Sequence, residues 1–94
     1  MRSIDKVKKN KVDRNGKKQG YWEYYWFNGN ISEKGSYKDG LEVGIREFYY
    51  ENGVLRERGL YKDGLPEDIW EYYYEDGSLK RKVLLLNGRF IKEL

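Results

Sequence analysis

Seven turn dipeptides at a fixed spacing constrain this chain more than any other feature. Asn15-Gly16, Asp39-Gly40, Asp63-Gly64 and Asn87-Gly88 recur every 24 residues, and Asn28-Gly29, Asn52-Gly53 and Asp76-Gly77 recur at the same 24-residue interval. A period held without one insertion marks a repeat architecture. Asn-Gly and Asp-Gly between aromatic or β-branched runs are strong hairpin signals, because a type I′ turn needs positive φ at both central residues. The segments between turns are of strand length, and none carries an uninterrupted helical stripe. The expectation is an all-β fold: a single-layer antiparallel meander of repeated hairpins, about seven strands of ordinary length.

One aromatic phrase precedes each turn of the second set: Tyr21-Trp22-Glu23-Tyr24-Tyr25-Trp26-Phe27, then Glu47-Phe48-Tyr49-Tyr50-Glu51, then Glu71-Tyr72-Tyr73-Tyr74-Glu75. Two-residue loops would pair Trp26 with Ile31, Trp22 with Gly35 and Glu23 with Lys34. The same register pairs Tyr50 with Leu55, Arg46 with Gly59, Glu47 with Arg58, Tyr74 with Leu79, Trp70 with Val83, and Glu71 with Lys82. The linking turns Asp39-Gly40 and Asp63-Gly64 would pair Ile31 with Phe48, Glu33 with Arg46, Leu55 with Tyr72, and Arg56 with Glu71. One face then collects Trp22, Tyr24, Trp26, Phe48, Tyr50, Trp70, Tyr72 and Tyr74, together with Ile31, Tyr37, Leu55, Tyr61, Leu79 and Leu85. The other alternates Glu23, Glu47 and Glu71 with Tyr25, Tyr49 and Tyr73, beside Lys34, Arg56, Arg58, Lys80 and Lys82. A one-residue slip would exchange these faces.

Composition narrows function by exclusion. The 94 residues include no Cys and no His, so a thiolate nucleophile, a zinc–thiolate site and an imidazole base are all ruled out. The Glu column (Glu23, Glu47, Glu71) is evenly spaced, but cationic neighbours would keep it ionised, whereas glycoside chemistry needs one carboxyl with a raised pKa. The Asp-Gly turns lack the ligand series of a calcium loop. No enzyme activity, cofactor or metal is expected. Aromatics at 17% argue against a disordered chain. The net charge of +3 hides a basic leader: residues 1–18 carry eight Lys and Arg against two Asp. Residues 1–12 are expected to form a flexible leader that could meet an acidic membrane surface, and deletion of residues 2–10 is expected to leave the fold intact. The repeat domain would span 13–94, in copies of about 13–36, 37–60 and 61–84 and a partial cap at 85–94. No apolar signal core is visible, which makes the cytoplasm the default location.

The segment from Asp39 to Tyr61, with Asp39-Gly40, Gly44, Phe48, Tyr49, Asn52-Gly53, Leu55, Gly59 and Tyr61, closely resembles the variant MORN repeat. The first copy matches at Asn15, Gly16, Gly20, Trp22, Tyr25, Asn28, Gly29, Ile31, Gly35 and Tyr37. The third matches at Asp63, Gly64, Trp70, Tyr73, Asp76, Gly77 and Leu79, and departs at Asp68, Val83 and Leu85, as a capping copy would. The resemblance implies a binding protein. Small bacterial members are often labelled YwqK-type antitoxin components of toxin–antitoxin systems, which implies a toxin or effector as partner, with bacterial or phage origin. Longer members are associated with scaffolding or membrane lipids. The stretch from Trp22 to Gly29 is also faintly similar to choline-binding cell-wall repeats, so the alternatives are a ligand-binding module (choline, carbohydrate or acidic lipid head groups) or a membrane-surface scaffold.

The expected partner-binding strip is Trp22, Tyr24, Trp26, Arg46, Phe48, Tyr50, Trp70 and Tyr72, since exposed aromatic surface marks partner sites and Trp, Tyr and Arg dominate interface hot spots. The alternative face carries Tyr25, Tyr49, Arg56 and Tyr73. Arg46 breaks the Trp column, and with Gly59 opposite, its guanidinium is expected to reach a partner carboxylate and to matter little for folding; the alternative is that it pairs with Glu33 across the linking turn and adds slightly to stability. No nucleic-acid partner is expected, and sheet edges offer a route to oligomers.

Overall fold

The computed structural model describes residues 9–94 as one eight-stranded antiparallel sheet with strands in sequential order. The strands are β1 (Lys11–Val12), β2 (Lys18–Tyr25), β3 (Ile31–Lys38), β4 (Leu41–Tyr49), β5 (Leu55–Lys62), β6 (Leu65–Tyr73), β7 (Leu79–Leu86) and β8 (Arg89–Glu93). No second layer covers either face among the described residues. The boundary expected at residue 12 falls inside the sheet: the Asn10 amide donates to the Tyr21 carbonyl at 2.9 Å, and β1 pairs with β2. A leader cut at residue 10 would therefore remove sheet contacts, while residues 1–8 lie outside the described residues.

The turns divide into two chemical kinds. At Asp39, Asp63 and Asn87, φ is 51°, 49° and 51°, and the following glycines are also positive, as type I′ turns require. At Asn28, Asn52 and Asp76 only the glycine is positive. There the glycine amide donates three residues back, Gly29 to Trp26 at 2.9 Å and Gly53 to Tyr50 at 3.0 Å, which makes a type I turn closed by a glycine bulge. The side chain selects this form. Asn28 Oδ1 accepts the Asn30 amide at 2.9 Å, Asn52 Oδ1 that of Val54 at 3.0 Å, and Asp76 Oδ1 that of Ser78 at 2.9 Å. Asn15-Gly16, in phase with the type I′ set, instead takes the bulged form, with Asp13 Oδ1 accepting from the amides of Asn15 and Lys17.

The bulge corrects the register beside each tip. Ile31 faces Tyr25, Leu55 faces Tyr49 and Leu79 faces Tyr73, not Trp26, Tyr50 and Tyr74. These three aliphatic residues therefore join the tyrosine face. The hairpin middles are as expected, with Trp22 opposite Gly35, Arg46 opposite Gly59, and Trp70 opposite Val83. Across the linking turns a second irregularity intervenes, where Gly44 (φ 78°) and Asp68 (φ 66°) bend β4 and β6. It shifts the pairing by two residues, so Glu33 faces Phe48, Glu57 faces Tyr72 and Arg58 faces Glu71. A shift of two preserves the face, which is why the aromatic columns survive a register that the turns alone predict wrongly.

Asp68 thus occupies a left-handed position that Gly20 and Gly44 fill in the other copies. An L-residue there costs about 1 kcal/mol, somewhat less for Asp. Asp68→Gly is expected to raise stability by up to about 1 kcal/mol in urea unfolding; an unchanged midpoint would mean that Asp68 carries no strain.

Candidate binding surface

The first expected face is largely filled by its own side chains. Trp70 is 3% exposed and lies flat on Gly59, where a Cβ would stand 2.1 Å from the indole. Its edge meets Tyr61 at 5.3 Å, and its Nε1 donates to the Leu60 carbonyl at 3.1 Å. Arg46, 24 residues earlier, repeats this arrangement with a guanidinium. It is 1% exposed, lies on Gly35, and stands over the Tyr37 ring at 4.7 Å. Its Nε donates to Glu33 Oε2 at 2.7 Å and an Nη to Tyr37 OH at 2.8 Å. The expectation that Arg46 reaches outward to a partner is corrected: the flat guanidinium replaces an indole, and Glu33 replaces the partner carboxylate.

Other members of the strip are also engaged within the fold. Trp26 Nε1 donates to the Tyr49 carbonyl at 3.0 Å and Tyr50 OH to the Tyr73 carbonyl at 2.6 Å, so both tie one copy to the next. Trp22 packs against Tyr24 and Tyr37, and Phe48 and Tyr72 pack against Trp70. Arg56, expected on the alternative face, stands over Phe48 at 5.9 Å because the bulge turns it to the aromatic side.

The opposite face is banded. One band is ionic: Glu47 takes Arg58 at 3.0 Å and Lys34 at 3.6 Å, and Glu71 takes Lys82 at 3.7 Å. Glu23 faces Lys34 in register but pairs with Lys9 at 2.8 Å. The second band is Tyr25, Tyr49 and Tyr73, whose hydroxyls donate to Glu23, Glu47 and Glu71. The third was missed in the sequence: Ile45 faces Leu60 and Ile69 faces Leu84, with Ile45 48% and Ile69 44% exposed. Around them lies an open depression of about 220 Å³, bordered by Arg58, Asp68 and Glu71. The 24-residue spacing of Ile45 and Ile69 was the available signal, overshadowed by the aromatic phrases that begin two residues after each of them.

At Glu23 the geometry works against general-acid chemistry. Hydrogen bonds from Lys9, Tyr21 and Tyr25 push the Glu23 carboxyl down to about 2 from its usual 4.5. That is opposite to the shift a general acid needs.

Residues 18–39, 42–63 and 69–87, about two thirds of the chain, match the MORN repeat variant. The chain belongs to the MORN repeat variant family. The first two matched segments each hold a bulge position and a hairpin tip, whereas the third holds the tip and begins one residue after Asp68. No curated protein and no solved structure matches the chain.

Removing Arg46 leaves a void on Gly35 and strips Glu33 of its partner. Arg46→Ala is expected to cost about 3 kcal/mol in chemical denaturation, the lower end for a broken buried pair because Glu33 is partly exposed. Arg46→Trp should lose less, since an indole fits the same cradle at Gly59; equal losses would refute the equivalence. Because folding depresses the Glu23 pKa, its stabilisation is present above pH 4.5 and is lost as pH falls toward about 2. The melting temperatures of the native protein and Glu23→Gln are expected to converge over that window; a constant gap would overturn the assignment.

Proposed function

We propose that this chain is a non-enzymatic protein-binding module whose partner docks on the banded face. The observation that carries the reading is the pair Ile45 and Ile69, each nearly half exposed on a face where Glu47 and Glu71 are already paired with Lys34, Arg58 and Lys82. An apolar band beside an ionic band suits a partner with a complementary apolar ridge, while the tyrosines supply rings with a wet hydroxyl end. The aromatic face suits docking less well, because Arg46 and Trp70 spend their surface on the sheet itself.

Within that reading, the role we favour is that of an antitoxin or immunity-like inhibitor. The MORN repeat is a binding repeat, and the sequence lacks the thiol and imidazole on which most hydrolytic chemistry relies. Inhibition would be steric: a stiff sheet lies over the working surface of a toxin or effector in the cytoplasm.

Co-expression with the product of an adjacent toxic reading frame tests both levels. The native chain is expected to restore growth, and the double variant Ile45→Asp, Ile69→Asp to abolish rescue while melting within a few degrees of the native protein. Failure of the native chain to rescue would remove the inhibitor role. Rescue that survives the double variant would move the interface off this face.

A further inference from the structure

Lys18 begins β2 with its side chain enclosed by three aromatic rings. Its Nζ lies 5.1 Å from the Trp22 ring centroid, 5.5 Å from Tyr24 and 5.1 Å from Tyr37. The walls are fixed relative to one another. Trp22 meets Tyr37 edge-on at an interplanar angle of 81°, and the hydroxyls of Tyr24 and Tyr37 lie 3.0 Å apart. Tyr37 is held from its other side by Arg46. Only copy 1 presents this set: Trp22, Tyr24 and Tyr37 become Arg46, Phe48 and Tyr61 in copy 2, and Trp70, Tyr72 and Leu85 in copy 3.

The two cations that share Tyr37 differ in what holds them. Arg46 is buried and paired with Glu33, whereas Lys18 is partly exposed and its ammonium donates only to Tyr24 OH at 3.0 Å. No carboxylate pairs with Lys18 among the described residues. A primary ammonium is strongly hydrated and gains most from a counter-charge, which this site lacks. A quaternary ammonium is weakly hydrated and is recognised by ring faces alone. The site is therefore better matched to a cation other than the one in it. Release is also local. The Lys18 backbone stays in the sheet, opposite Val12 and accepting the Gly40 amide at 3.0 Å, so a swing of the side chain into water is enough to empty the space.

We propose that Trp22, Tyr24 and Tyr37 form a binding site for a quaternary ammonium group, closed in the free protein by Lys18. The inference does not depend on the protein-docking reading, which concerns the opposite face.

The test titrates tetramethylammonium chloride into the full chain, with sodium chloride as the ionic control, and follows the ring proton signals of Trp22, Tyr24 and Tyr37. Lys18→Ala empties the site, while Lys18→Met refills it without charge. Saturable shifts at all three rings are expected in Lys18→Ala, roughly tenfold weaker binding in the native protein, as befits displacement of one cation–π contact, and none in Lys18→Met. Choline and phosphatidylcholine vesicles then separate a free ligand from a lipid head group by which of them shows the same dependence on Lys18. Equal binding by all three proteins would place the cation elsewhere and overturn the proposal. So would shifts reproduced by sodium chloride, or no saturable shift in a folded Lys18→Ala protein. Should Lys18→Ala fail to fold, Lys18→Ser is read by the same criteria.

Discussion

A flat side chain lying on a glycine is the contact on which this sheet depends. A single layer has no second layer to bury against, so apolar surface must be hidden within the thickness of the sheet itself. Gly59 and Gly35 make that possible by letting Trp70 and Arg46 settle onto the backbone. From there Trp70 reaches Tyr61, Phe48 and Tyr72, and Arg46 reaches Tyr37 and Glu33. That two such different residues share the role shows what the position selects: a planar group with an edge able to donate a hydrogen bond. Indole and guanidinium both qualify, and charge becomes tolerable once Glu33 answers it.

This packing fills much of one face, while the other keeps its tyrosines and ion pairs along the surface. The division follows from where glycine stands. Gly35 and Gly59 face the aromatic side, and no glycine opens the ionic side for a ring to sink into. Tyr25, Tyr49 and Tyr73 therefore lean along the surface and bond the neighbouring carboxylates instead of descending onto the sheet. A smooth, internally neutralised face with an apolar stripe is what remains.

The repeat, the all-β fold, the strand order and the hairpin middles were all legible, because Asn-Gly and Asp-Gly fix chain reversal locally and alternation fixes the faces. The tips were misread for a physical reason. The same dipeptide serves a two-residue and a three-residue loop, and the choice rests on whether Asn28 or Asp39 turns its own backbone left-handed or spends its side chain on the amide two residues on. The linking bulges were also illegible. Gly44 marks one, but Asp68 disguises the next. Arg46 was the sharpest error: an interruption in an aromatic column reads as function, yet its surroundings make it a structural equivalent of tryptophan. Lys18 carried no local signal, since its three rings come from two strands.

The bonds that join neighbouring copies at the tips end on main-chain carbonyls. Trp26 and Asn28 donate to the carbonyls of Tyr49 and Glu51, and Tyr50 and Asn52 to those of Tyr73 and Glu75. A carbonyl is present whatever the residue, so these joints ask nothing of the next copy's sequence. Such a chain can lengthen by tandem duplication without rewriting its seams. The exception lies between the first two copies, where Glu33 requires an arginine and the corresponding Glu57 faces a copy that offers tryptophan. The copies are therefore not interchangeable beads: one ion pair fixes which of them stands second.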